Sequence, residues 1–353
     1  MSQPVDFFLS IFEHFGDPKK RVFVGYIVLS ILIAFLWLLM ARKMSLRAAL
    51  AKIFDKKVFF SRSSQSDYSI FFLNRIFTLF ISPLLLTQLV VATALFHLLH
   101  QVNWPDFPYA AAVPSFIIIA AFTATIFILD DLTKYIVHRW MHKWPLLWAL
   151  HKTHHSATNL TPLTIYRTHP LEGIVFSLRS AFTQGVALSI FFYWFGDKVD
   201  LMTVLGVNVV VFTFNVAGSN LRHSHIGIRY WRWLEYVLIS PAQHQLHHSV
   251  AVQHHDKNFG ATLAVWDWLF GSLHHSVETD DLTLGLGQGE THVDHSLYGM
   301  YLRPLVEIYA YLRRRMRAMT LKVKAWFRPI PAFEWLLTSF KSTKKKDQDQ
   351  KNA

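Results

Sequence analysis

The chain of 353 residues contains no cysteine. That excludes disulfides, thiolate metal sites and a cysteine nucleophile. Charge is scarce. Asp, Glu, Lys and Arg make up 16% of the residues, against roughly 25% in a typical soluble domain. Acidic residues are the scarcest, 23 against 35 basic ones, giving a net charge of +12. There is no Gly/Ser linker, no internal repeat, no HExxH and no Gly-rich dinucleotide fingerprint. What is abundant is apolar: 52% of the residues are hydrophobic and 15% aromatic. Such a composition excludes disorder, which needs low hydrophobicity and high charge. Length alone would permit two domains, but the apolar runs suggest one membrane-embedded body.

Residues 22–40 form an uncharged apolar run, close to the roughly 20 residues a spanning helix needs. No small-residue cleavage site follows, so the run is read as an anchor rather than a signal peptide. Further spans are expected at about 77–99, 110–129, 174–195 and 201–217. Lys19, Lys20 and Arg21 precede the first span. Arg42, Lys43, Arg47, Lys52, Lys56, Lys57 and Arg62 follow it. The heavier basic flank belongs in the cytoplasm, which puts the N-terminus outside. Alternation then places residues 130–173, and everything after 218, in the cytoplasm. Residues 302–340 mix Leu, Tyr, Met and Trp with Arg313, Arg314, Arg315, Arg317, Lys322, Lys324 and Arg328. That pattern predicts amphipathic helices on an anionic leaflet, followed by a disordered tail over 341–353. Nucleic acid is the other partner such charge could serve, and the spans argue against it.

Histidine is the second excess. Thirteen of the 20 histidines lie between His138 and His255. His138 and His142 stand in HRWMH, His151, His154 and His155 in HKTHH, and His244, His247 and His248 in HQLHH. His223 and His225 lie in RHSH, and His169 precedes Pro170. Spacings of three and four place side chains on one helical face, where imidazoles can converge. Protonated rings packed this way would repel, whereas a metal takes the neutral form. Ser240-Pro241-Ala242-Gln243 reads as a capping box with Pro at the first helical position, so His244 should lie in a first turn. Asp131, on the helical face of His138 and His142, is a candidate to hydrogen-bond a ligand imidazole, or else a simple interfacial charge. At least eight imidazoles are too many for one ion, and two ions with four or five each fit the count. Imidazole suits zinc, iron and copper, with iron preferred by a small margin.

The three clusters resemble the HxxxH, HxxHH and HxxHH boxes of the fatty acid hydroxylase and sterol desaturase superfamily of membrane di-iron oxygenases. Arg167 to Glu172 is similar to its R-x-H-P-L-E stretch. Asp256 to Gly260 is similar to its D-x-N-[YF]-G element, and Trp266 to Gly271 to W-D-x-L-F-G. The similarity covers roughly 123–273. The desaturases with a longer first box, HxxxxH, match less well. The resemblance implies metal ligands at His138, His142, His151, His154, His155, His244, His247 and His248, with His223 as a ninth. His169, His225, Glu172, His255, Asp256, Asn258 and Asp267 would touch the metals or steady the ligands. His225, His254 and His255 depart from the usual pattern. Tyr166, Arg167, Trp140 and Trp144 are candidates to line a lipid entrance, or else interfacial anchors.

The expected fold is therefore all-α: an integral membrane helical bundle with a cytoplasmic His-rich cap holding a di-metal site. The expected divisions are 1–109, a membrane region; 110–275, the catalytic domain; and 276–353, a basic region. The resemblance implies two Fe ions, O2 as co-substrate and a lipid substrate. With no haem-binding domain of HPGG type in the sequence, electrons are expected from separate electron-transfer proteins, and this with the absence of cysteine suggests a bacterial inner membrane as the location. Hydroxylation and desaturation of a sterol-like or carotenoid lipid stay open. So does a non-catalytic metal-binding protein or transporter, which would need ionisable residues deep in several spans.

Overall fold

The long apolar runs fold as helices. The structure is a computed structural model of the chain, and it describes residues 12–279, 282–287 and 295–326. Helix α1 (Val24–Met40) takes up the first run. Two short helices follow, α2 (Leu46–Ile53) and α3 (Lys56–Phe59). Each is entered through a capping side chain, Ser45 accepting from Ala48 N and Asp55 from Lys57 N. Helices α4 (Arg62–Ile81) and α5 (Gln88–Gln101) make one broken rod. Pro83 sits in the turn between them, and Thr87 caps the restart by accepting from Val90 N. Then come α6 (Ser115–Lys143), α7 (Pro145–His155) and α8 (Pro170–Phe195).

Among the described residues, three stretches are long and apolar enough to cross a membrane: Arg62–Gln101, Ser115–Lys143 and Pro170–Lys198. Helix α1, with 17 residues, is a shorter apolar helix. The protein is an integral membrane protein built as a helical bundle. Gly185 lets α8 approach α5 closely, since a Cβ there would meet Val91 Cβ at 2.7 Å.

The fifth expected span, 201–217, is not a spanning helix. Thr203–Val204 (β1) pairs antiparallel with Val207–Asn208 (β2), and only Val209–Val216 (α9) is helical. The cause is local. Leu205 and Gly206 have φ of 51° and 73°, the two left-handed positions of a tight hairpin turn. The β-branched residues around them favour strand. Met202 N donates to Thr123 Oγ1 and Asn208 Nδ2 to Thr123 O, which fastens the hairpin to the middle of α6.

The remaining described elements are short: α10 (Pro241–His247), α11 (Val265–Leu269) and α12 (Leu297–Tyr301), then the long α13 (Arg303–Trp326). The chain forms two compact units, divided between Leu305 and Val306. In the second, Tyr309, Leu312, Met316, Met319 and Val323 form an exposed apolar stripe at helical spacing among arginines. The rest of the expected amphipathic region, 327–340, and the expected tail lie outside the described residues.

Candidate metal centre

Helix α6 has 29 residues, ~43 Å at 1.5 Å per residue. The hydrocarbon of a bilayer is roughly 30 Å thick, so its last turns project beyond it. Those turns carry His138 and His142. The chain reverses at Trp144, and Pro145 opens α7, which ends in His151, His154 and His155. The capping box of α10 forms as expected: Ser240 Oγ accepts from Gln243 N, and Gln243 Oε1 from Ser240 N. His244 and His247 lie in α10, with His248 at its C-cap. His223 arrives on the 3₁₀ turn of residues 219–223.

These nine imidazoles meet in two groups. His138, His142, His151, His155 and His247 form one, and His154, His223, His244 and His248 the other. Within each group the potential ligand atoms lie within 4.8 Å of one another. The Nε2 atoms of His138 and His247 are 3.0 Å apart, those of His223 and His244 3.0 Å, and those of His154 and His223 3.3 Å.

The outer nitrogens are held. His138 Nδ1 donates to Phe259 O at 2.7 Å, His247 Nδ1 to Lys257 O at 2.7 Å, and His151 Nδ1 to Glu172 Oε1 at 2.8 Å. Those acceptors fix the tautomer that leaves Nε2 with a lone pair facing inward. The Nε2 atoms of His142, His151 and His155 and both nitrogens of His248 are buried with no hydrogen-bond partner, whereas His154, His223 and His244 turn their Nε2 atoms on one another and leave Nδ1 unpartnered. A buried acceptor without a partner is costly, and a cation within each group would satisfy it. Burial first, and neighbouring imidazoles after it, hold His154, His155, His223, His244 and His248 well below the usual imidazole range. Burial brings His247 down to about 3. These six rings are therefore held neutral, the form a metal binds. The residues fit two metal ions, held by five and by four imidazoles.

Two segments brace this arrangement. In the first, buried Arg167 bonds Asp67 Oδ1 at 2.9 Å and donates to Thr153 O and Ser156 Oγ, tying the end of α7 to α4. His169 caps α8, its Nδ1 accepting from Leu171 N, which sets Glu172 in the first turn opposite His151. In the second, Asp267 accepts from Phe259 N at 2.8 Å, Gly260 N at 2.7 Å and Ser272 Oγ at 2.6 Å. Asn258, at φ 56°, donates to Gln243 O and His274 O. Gly260 is required, because a Cβ there would stand 2.5 Å from Leu263 O. The segment 257–260 is thus locked with two carbonyls aimed at His247 and His138.

Several expectations are corrected. Asp131 bonds no imidazole. Its carboxylate accepts from Thr262 N, Leu263 N and Trp266 Nε1, each at 3.0 Å. His169 Nε2 donates to Tyr301 O, and His225 Nε2 to Lys52 O, so neither joins a group. His255 donates to Val250 O, and Asp256 pairs with Lys143 at the surface. Arg167 is fully buried and lines no entrance. Trp140 and Trp144 stack on each other, exposed, with centroids 5.1 Å apart.

A cavity of about 480 Å³ reaches both groups, touching His138, His151, His154, His223 and His244. Phe127, Phe176, Val211 and Phe214 give it apolar walls, and Lys19, Arg21 and Arg222 add positive charge. Sequence reasoning used Lys19 and Arg21 only as flanking charges and overlooked Arg222. Their role depends on contacts across some 200 positions, as in Arg21 to Ser219. A second cavity, about 540 Å³, meets the five-imidazole group at His142, His155 and His247, beside Trp148 and Asp256.

Comparison with known proteins adds the lineage. Human alkylglycerol monooxygenase is 29% identical over 44% of this chain and 31% of its own length. A beta-carotene hydroxylase of Paracoccus sp. is 30% identical over 39% of this chain and 78% of its own. The Delta(7)-sterol 5(6)-desaturase ERG3B of Gibberella zeae is 29% identical over 37% and 36%. The chain spans about a third of the length of the alkylglycerol monooxygenases it matches. No solved structure matches it. The profile of the fatty acid hydroxylase family covers residues 123–272, the stretch that carries all nine gathered histidines, and the chain belongs to that family.

Proposed function

We propose that this protein is a membrane di-iron oxygenase that hydroxylates a C–H bond of a lipid, using O2 and electrons from separate carrier proteins. One observation carries the reading: nine imidazoles, seven of them buried and two half-buried, gathered in two groups that open on an apolar-walled cavity among the spanning helices. Protein acids and bases cannot break an unactivated C–H bond. A bound iron pair would supply the O2 and electron chemistry. The chain's own residues do the rest. Glu172 and the carbonyls of Lys257 and Phe259 orient ligand rings. The walls of Phe127, Phe176 and Val211 hold the hydrocarbon and keep water out. The cavity at His142 and Trp148 offers a polar approach for a carrier protein.

We place the histidines in the cytoplasm of a bacterial inner membrane, and the start of α1 with them, because Arg21 donates to Ser219 O beside the four-imidazole group; the expected outside position of the residues before α1 is therefore given up. Basic residues 42–62 support that orientation. With 201–217 not helical throughout, the chain would return from α8 through the hairpin and α9. Desaturation is a second reading, supported by the similarity to the sterol desaturase.

The test is metal analysis of the purified protein with lipid product analysis. Two irons per chain, and a product heavier by one oxygen or lighter by two hydrogens, are expected. Labile zinc with no oxidised product would sink the proposal and leave a metal-binding or transport role.

A further inference from the structure

The same cavity contains two guanidinium groups with no carboxylate bonded to either, although Asp131 lies near enough to favour the charge of Arg222. Arg21 and Arg222 donate to one shared acceptor, Ser219 O, from Nη2 at 2.6 Å and from Nε at 3.3 Å. Arg222 is 6% exposed and lies over the Phe214 ring, 5.0 Å from its centroid. Among the described residues, neither arginine forms an ion pair. The terminal nitrogens of Arg222 meet no acceptor, and Arg21 Nε is buried without one. The acidic groups around the cavity are engaged elsewhere. Asp131 serves three donors, Glu172 takes His151, and Asp130 pairs with Lys134 at 2.6 Å and Arg179 at 2.9 Å.

Two like charges that share one carbonyl, one arginine buried and the other half-buried, repel each other and lose part of their hydration. Such a pair persists when an anion joins it, and the planar forks of two guanidiniums suit a carboxylate or phosphate. We propose that Arg21 and Arg222 bind the anionic group, carboxylate or phosphate, of an amphiphile whose chain runs along Phe127, Phe176 and Val211. The anion's seat, one residue from His223, fixes which carbon faces the four-imidazole group. Calling that amphiphile the substrate rests on the oxygenase reading; the anion site itself does not.

The experiment is isothermal titration of the full-length, metal-loaded protein in detergent with dodecanoate, dodecyl phosphate, dodecanol and inorganic phosphate. The two anionic amphiphiles should bind about tenfold or more tightly than dodecanol, as charge-assisted hydrogen bonds would give. Arg222→Gln should remove that preference with metal content unchanged, and Arg222→Lys should retain part of it. Arg21→Gln, far in sequence from the histidines, should act like Arg222→Gln and serves if the latter does not fold. Equal affinity for dodecanol, or a preference surviving both Gln substitutions, overturns the proposal whatever the oxygenase assay says. Inorganic phosphate competing as well as dodecyl phosphate assigns the seat to a free anion and overturns the amphiphile. Absent lipid oxidation with the anion preference intact would sink the oxygenase reading alone.

Discussion

Single side chains decide whether the imidazoles face inward. Glu172 is buried, and its one bonded oxygen holds His151. Replacing it with Ala should lower metal affinity about 10–100-fold, the usual cost of losing a partner that orients a ligand. Glu172→Gln, which keeps an acceptor, should lose less. Metal content after dialysis against a graded chelator reads both. His154→Ala and His247→Ala each remove one proposed ligand from a different group. Both should abolish lipid oxidation and lower bound metal, and activity surviving in either would refute that assignment. The exposed His97 is the suitable control. His295 is not, because its Nδ1 contacts Arg167 Nη2 at 2.9 Å.

At the scale of elements, the bracing of 257–260 makes its own demand. Asp267→Asn leaves one acceptor where two backbone N–H groups converge, and should cost roughly 1–3 kcal/mol. Gly260→Ala should be worse, because Leu263 O blocks the added carbon. Thermal unfolding alongside metal content separates these from variants of the ligands. In the hairpin, Leu205 occupies a left-handed position. Leu205→Asn should raise stability by about 0.5–1 kcal/mol if the hairpin forms as described. A loss of stability would speak for helix there.

The same elements show what the sequence disclosed and why. The boxes were legible because helical spacing forces His138 and His142, or His151 and His155, onto one face. The cap at Ser240 was legible because its signal is local. The partners of Asp131 were not, since Thr262 and Trp266 lie more than 130 positions away. A run such as 201–217 is uncharged and mostly apolar, so hydropathy cannot tell a strand from a helix, and only Leu205-Gly206 hinted at the turn.

For the molecule as a whole, nine inward-facing imidazoles make the metal-free fold a strained one, with buried acceptors left unpaired. Stripping the metal should therefore lower the melting temperature. Restoring two equivalents of iron should recover it by mass action on the folded state. A melting point indifferent to chelation would count against ions at this place.

Helix α7 contributes to both groups, His151 and His155 to one and His154 to the other. A single rigid turn would thus be the ruler between two bound ions, and neither seat could relax without dragging its neighbour. Occupancy should be close to all-or-none. Native mass spectrometry at half-equivalent loading should find empty and doubly filled chains, with few that carry a solitary ion.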